Sequence, residues 1–159
     1  MKKSTLLLVS LFTLINVNNL SGRSTAIQDT SILKTFIENY YEVMSARDWT
    51  TYKTYFTDQA VLTTVWQESA DDEATIYTNT IDGFLAQTKN GPDSQPIFEE
   101  KPISIEIKIK GDLASVWAKY EAKFGTEENL MRWKGNDLFS LIHHNDKWYI
   151  SALTYVSIE

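Results

Sequence analysis

The chain has 159 residues, 43% hydrophobic and 13% aromatic, with no cysteine and a formal net charge of −6. That length closes one well-formed core, and the missing cysteines exclude disulfides, thiol catalysis, iron–sulfur ligation and cysteine-bound structural zinc. The acidic balance disfavours nucleic acid and anionic membrane surfaces as partners, because both are polyanions.

Residues 1–26 read as an export signal. Lys2 and Lys3 give a positive start, Leu6 to Ile15 form an apolar run too short to span a bilayer comfortably, and Ser24-Thr25-Ala26 offers small residues for cleavage. A second possible cut follows Ser21-Gly22. Cleavage removes three basic residues (Lys2, Lys3 and Arg23) and no acids, leaving 12 basic against 21 acidic side chains, a net of −9. The expectation is a secreted or periplasmic protein with one domain, residues 27–159, and no membrane attachment after cleavage.

In the mature chain, Asp29-Thr30-Ser31 supplies helix N-cap residues, and Leu33, Phe36, Ile37, Tyr40 and Met44 then recur at helical spacing, ending near Arg47. Asp48 caps a shorter helix predicted over Trp49 to Phe56. Ala60 to Trp66 reads as the first strand, the acidic stretch Gln67 to Glu73 as a solvated hairpin loop, and Ala74 to Asn79 as a short returning strand. Thr80 caps a third helix containing Ile81, Phe84 and Leu85, which Asn90-Gly91-Pro92 stops, followed by a loop to Pro96. Ile103 to Ile109 alternates strictly, as do Ala114 to Phe124, Leu138 to His143 and Trp148 to Val156, so the last third is an antiparallel meander. Helices gathered in the first half against such a sheet mean α+β, with about three helices packed on one face of a curved antiparallel sheet.

Several stretches together resemble the nuclear transport factor 2-like superfamily, and within it the SnoaL-like and lumazine-binding group. These are the helical pair leading through Trp49 to Leu62, the run Asp112 to Glu121, the run Gly135 to Leu141, and Lys147 to Ile150. The resemblance covers Leu33 to Ile158 and implies a cone-shaped roll that hosts isomerases, dehydratases, cyclases, ligand binders and interaction modules. Many relatives look to carry a His-Cys pair before the glycine that here is Gly135. This chain has Trp133-Lys134 there, so no role of that pair carries over.

A tight turn at Asn145-Asp146 pairs His143 with Trp148 and Leu141 with Ile150, and the same register continued places Asp137 opposite Thr154. One face then carries Trp133, Asp137, Phe139, Leu141, Trp148, Ile150 and Thr154, and is assigned to the concave side. With Trp66 and Tyr120, whose strand neighbours are small alanines, this gives a candidate ligand set of Trp66, Tyr120, Trp133, Asp137, Phe139 and Thr154 for a small apolar or heteroaromatic molecule. Trp49, Trp66, Trp133 and Trp148 form a candidate aromatic lining, with core packing sufficient for Trp49 and Trp148. If the protein is an enzyme, Asp137 is the base and Tyr120 the hydrogen-bond donor of a cofactor-independent lyase or isomerase. The alternative places Asp137 at the rim or against Lys134 or Arg132, with Tyr120 in the core.

The sequence suggests no cofactor and no metal. His143 and His144 point to opposite faces of a strand and cannot chelate one ion together. Trp117, among Lys119, Glu121 and Lys123 on the outer face, is a candidate homodimer contact. A third reading is an assembly module whose pocket is filled by its own side chains.

Overall fold

The computed structural model describes residues 30–67 and 71–158, so the expected export signal and Asp29 lie outside the described residues. Helix α1 (Thr30–Ser45) buries Leu33, Ile37, Tyr40, Tyr41 and Met44, one stripe at helical spacing. Helix α2 is Trp49–Lys53, three residues shorter than the sequence suggests, because Phe56 already belongs to strand β1 (Phe56–Trp66). The Asp48 carboxylate caps α2 by accepting from the Thr51 amide at 3.0 Å. Strand β2 (Thr75–Thr80) returns beside β1, and Thr80 caps α3 (Ile81–Gln87) through the Gly83 amide. Two 3₁₀ turns, Thr88–Asn90 and Pro92–Ser94, lead into β3 (Ile97–Lys110), β4 (Leu113–Gly125), β5 (Leu130–His144) and β6 (Lys147–Ile158).

The strands form one sheet in the order β2-β1-β6-β5-β4-β3. The sheet is mixed, correcting the expectation of a purely antiparallel one: β1 runs parallel to β6. Alternation within each strand carries no information about which first strand meets which last, so this pairing was not readable locally. The rest is the expected meander, turned at Asn145 and Asp146 by two positive-φ residues (49° and 59°), the geometry of a two-residue hairpin loop.

Two single-residue bulges decide which side chains point inward. In β6, Leu141 pairs with Ile150 as expected, but Ser140 then pairs with Ala152, so Ser151 is an extra residue. Its hydroxyl donates to the Ser140 carbonyl at 3.0 Å, giving the disrupted ladder a partner. Beyond this point the expected register is off by one. Asp137 faces Tyr155, while Thr154 pairs with Leu138 on the outer face and is exposed. In β3 the pairing slips between Pro102 and Ser104, leaving Ile103 extra and 49% exposed. A proline without an amide hydrogen is tolerated there because β3 is an edge strand. The slip puts Ile105, Ile107 and Ile109 in phase with Phe98 and Glu100 on the concave side.

The core lies between α1 and the concave face. Tyr40 packs edge-on to Phe139 at 5.1 Å between ring centroids, and its hydroxyl sits 2.9 Å from that of Tyr52. Val116, Phe139, Leu141 and Ile150 are fully buried beneath the helix. One clip joins α1 to β3: the Ser45 hydroxyl donates to the Glu100 carbonyl at 3.0 Å and accepts from the Glu100 amide at 2.9 Å. Ser45→Ala strips both backbone groups of their partner and is expected to lower stability by on the order of 1–3 kcal/mol, measured as a drop in the urea midpoint at unchanged m-value.

Candidate functional site

A cavity of about 690 Å³ opens at the wide end of the cone. Its apolar walls come from the sheet, with Leu62 of β1, Phe98 of β3, Phe124 of β4, Met131 and Trp133 of β5, and Tyr155 of β6. The lining continues through Tyr77 and Asn79 of β2, the latter paired with Leu62, to Phe84 and Gln87 of α3 and to Asn90, Gly91 and Pro92 from the 3₁₀ turns. Ser157 adds a hydroxyl, and among the described residues no aspartate, glutamate, lysine, arginine or histidine lines the space. Such a volume falls within the range of small-molecule sites, which are mostly apolar with a few placed polar groups.

Of the residues singled out from sequence, Trp133 lines this cavity. Tyr120 lies directly below it. Its ring crosses the inner face of Gly135, where a β-carbon would stand 2.3 Å from the Tyr120 hydroxyl oxygen, so only glycine leaves room for the ring. Burial, then the charges of Glu100 and Asp137, push the Tyr120 hydroxyl up, against its contacts with the cavity residues Trp133 and Ser157, which favour the ionised form. Asp137 and Phe139 lie deeper, 3% and 0% exposed. Thr154 is on the opposite side of the sheet, displaced by the Ser151 bulge. The side chain of Trp66 lies outside the described residues. Of the other candidate lining tryptophans, Trp49 stacks on Tyr52 and Phe84 and donates to Asp93, and Trp148 stacks on His143; neither lines the cavity.

Asp137 does not pair with Lys134 or Arg132. Those residues alternate out of phase with it on β5, and its partner is the Tyr41 hydroxyl, which donates to Oδ2 at 2.5 Å. Burial pushes the Asp137 carboxyl up to about 7, against the hydrogen bond from Tyr41, which favours the charged form. Sequence reasoning missed a second inner acid, Glu100. Glu99 and Glu100 are neighbours on β3, and alternation sends the two apart. Glu99 meets Lys123 at 2.7 Å, while Glu100 is opposite Ala122 on the concave face. Glu100 keeps a little accessible surface but stands deep in the cone, and depth sets the cost of charging it. Burial first, then the charge of Asp137, pushes it up to about 8. Extending the β3 pattern backward finds this residue only if the bulge at Ile103 is known, since that bulge reverses the phase.

The arrangement is thus an uncharged aromatic cavity, a floor of Tyr120, Trp133, Tyr155 and Ser157, and two buried carboxyl groups among phenols, Glu100 in the row of Ala122 and Trp133 and Asp137 two rows further in. Among the described residues no group of three or more His, Cys, Asp or Glu side chains converges as metal ligands.

No protein-family model matches the chain, and no curated protein matches it. Solved structures match by shape. The chain is similar to a scytalone dehydratase candidate from Novosphingobium aromaticivorans (TM-score 0.67, 8% identity, covering 84% of this chain and 86% of that one). It is similar to the β subunit of benzoate 1,2-dioxygenase from Burkholderia mallei (TM-score 0.63, 16% identity, 82% and 91%). A nuclear transport factor 2-like protein of unknown function from Shewanella baltica also matches (TM-score 0.58, 21% identity, 86% and 98%). At such identities the likeness establishes the fold, and the fold is the nuclear transport factor 2-like α+β cone.

The acid pair makes stability depend on pH with a defined sign. Both groups hold a proton more tightly folded than unfolded, so their contribution is fully present below the ordinary carboxyl values of 3.8 and 4.5. It is lost as pH rises through about 7 and 8. The urea midpoint is therefore expected to fall between pH 5 and pH 8.5. Asp137→Asn, which can still accept from Tyr41, should flatten that fall by on the order of 2 kcal/mol. An unchanged slope in the variant would show that Asp137 is not the titrating group.

Proposed function

We propose that the protein is an exported small-molecule-binding domain of the SnoaL-like and lumazine-binding group, whose cavity holds a small apolar or heteroaromatic molecule without covalent chemistry. One observation carries the reading: an open space of about 690 Å³ walled by Phe98, Phe124, Trp133 and Tyr155, with no charged side chain lining it among the described residues. Aromatic walls supply stacking area, and among the described residues no carboxylate, amine or imidazole lines the cavity to act as a base at neutral pH. An assembly module whose pocket is filled by its own side chains would leave no such space. Export rests on the Lys2, Lys3 and Leu6 to Ile15 pattern.

A second reading is a cofactor-independent lyase or isomerase, and the two raised carboxyls beside the floor favour it. A phenol and a neutral carboxyl in an apolar site can polarise a carbonyl by donating hydrogen bonds, and the carboxyl once ionised can take a proton. In that reading Tyr120, beside cavity residues Trp133 and Ser157, is the group nearest a ligand, and Asp137 acts from below.

We further propose a homodimer through the outer sheet face. Val61, Thr63 and Val65 of β1, Thr154 and Val156 of β6, Leu138 of β5 and Trp117 of β4 alternate outward there without a charge among them, and Trp117 is 53% exposed. A second copy of the same face is the partner that covers this apolar patch, with Glu106 and Lys119 at its rim beside Trp117.

Native mass spectrometry of the protein purified from its own cells is expected to show a mass excess from a retained molecule, and Trp133→Ala to lose it, with affinity down at least about tenfold. Under the binding reading Asp137→Asn retains the same mass; under the enzyme reading it retains a different one, substrate in place of product. Trp117→Glu is expected to convert the dimer into a folded monomer in sedimentation experiments, and a wild-type protein monomeric at micromolar concentration would exclude the dimer.

A further inference from the structure

The cavity has two unlike sides, and the polar one is built. We infer that the occupant is a flat, uncharged molecule with a hydrogen-bonding edge of the amide or lactam type, a carbonyl next to an N–H, and that this edge is read by the carboxamides of Asn79 and Gln87. The inference rests on the binding reading above and specifies its ligand class.

The Asn79 side chain is held in one orientation. Its Oδ1 accepts from the Thr80 amide at 2.9 Å, and the carboxamide fills the space of the missing side chain at Gly83, where a β-carbon would lie 1.9 Å from Oδ1. With the oxygen committed, Nδ2 turns to the Tyr77 hydroxyl at 3.3 Å. The same hydroxyl is reached by Gln87, with Nε2 at 3.2 Å and Oε1 at 3.3 Å. A phenol has one proton to give, and Gln87 Oε1 is the acceptor there; it can accept from the amide nitrogens. Tyr77 thus fixes two carboxamides side by side at the cavity wall and leaves each with unused capacity: an N–H on Asn79, and an N–H and a lone pair on Gln87. Two adjacent groups offering both donors and an acceptor match an edge that carries both, as a lactam does.

The aromatic wall sets the rest of the molecule. Phe98, Phe124, Trp133 and Tyr155 offer ring faces and edges to a flat body. An ionised group would enter a space with no counter-charge and lose its hydration, so carboxylates and phosphates are rejected.

The test uses the full chain and three flat two-ring probes at pH 7.5, with tryptophan fluorescence as readout: quinolin-2-one, naphthalene and naphthalene-2-carboxylate. Quinolin-2-one is expected to bind at least about tenfold more tightly than naphthalene, and the carboxylate at least about tenfold more weakly than naphthalene. The double variant Asn79→Leu, Gln87→Leu should bring the first ratio to near unity with naphthalene affinity kept within about twofold. Because Asn79 also supports the start of α3, Gln87→Leu alone is the second variant, and it should lower the ratio about threefold. Equal affinity of quinolin-2-one and naphthalene for the wild type, or a ratio that survives both variants, overturns the inference while leaving the cavity a binding site. Failure of all three probes to bind overturns the binding reading itself, and the inference with it.

Discussion

The structure depends on the phase of its strands, and two extra residues set that phase. Alternation is a strict two-state variable: one inserted residue moves every later side chain to the other face. Ser151 does this in β6 and Ile103 in β3, at opposite flanks of the meander. Without the first, Tyr155 and Ser157 would point outward and Thr154 would replace a ring in the cavity. Without the second, either Glu100 would face solvent with Phe98, or the isoleucines of β3 would. Each insertion has its own stabilising feature, a hydroxyl bonded across the ladder at Ser151 and the tolerance of an edge strand for proline at Pro102.

The order of layers along the cone follows from that phase. Going inward along β4, the concave positions are Phe124, Ala122, Tyr120, Ala118 and Val116, and their partners on β5 are Met131, Trp133, Gly135, Asp137 and Phe139. The rows alternate bulk. Tyr120 is large where Gly135 is absent of side chain, and Ala122 is small where Trp133 is large, so each row fills without strain. The same rows carry the change from apolar cavity to polar floor to buried acid.

Much of this was legible, and the failures share a cause. Helix α1, the caps at Asp48 and Thr80, and the hairpin at Asn145-Asp146 follow from local chemistry, because caps and tight turns are satisfied by residues close in sequence. The candidate site was read only in part. Trp133 and Asp137 lie on β5 and Tyr120 on β4, strands with no inserted residue, and kept their phase; Thr154 follows the extra residue Ser151 within β6 and did not. Phe98 and Glu100 were hidden by the bulge at Ile103, and the Tyr77, Asn79 and Gln87 group by distance, since a strand and a helix must pack before those carboxamides meet. The parallel pairing of the first strand with the last is the longest-range fact in the fold and has no local signature at all.

Burying two carboxyl groups beside an apolar cavity is costly, and simple packing does not require it: Asn at position 137 would still accept from Tyr41 without a titrating charge. What the acids add is charge that develops as the carboxyls, pushed up to about 7 and 8 by burial, ionise next to the floor. This charge places negative potential beside Tyr120, whose own ionisation it opposes, and makes the floor attract a partial positive charge on whatever lies above. A ligand that presents an N–H downward would then be held more tightly once the acids ionise, and one that presents a carbonyl less tightly. In the proposed binding reading, the direction of the pH dependence of affinity therefore reports which end of the ligand faces the floor.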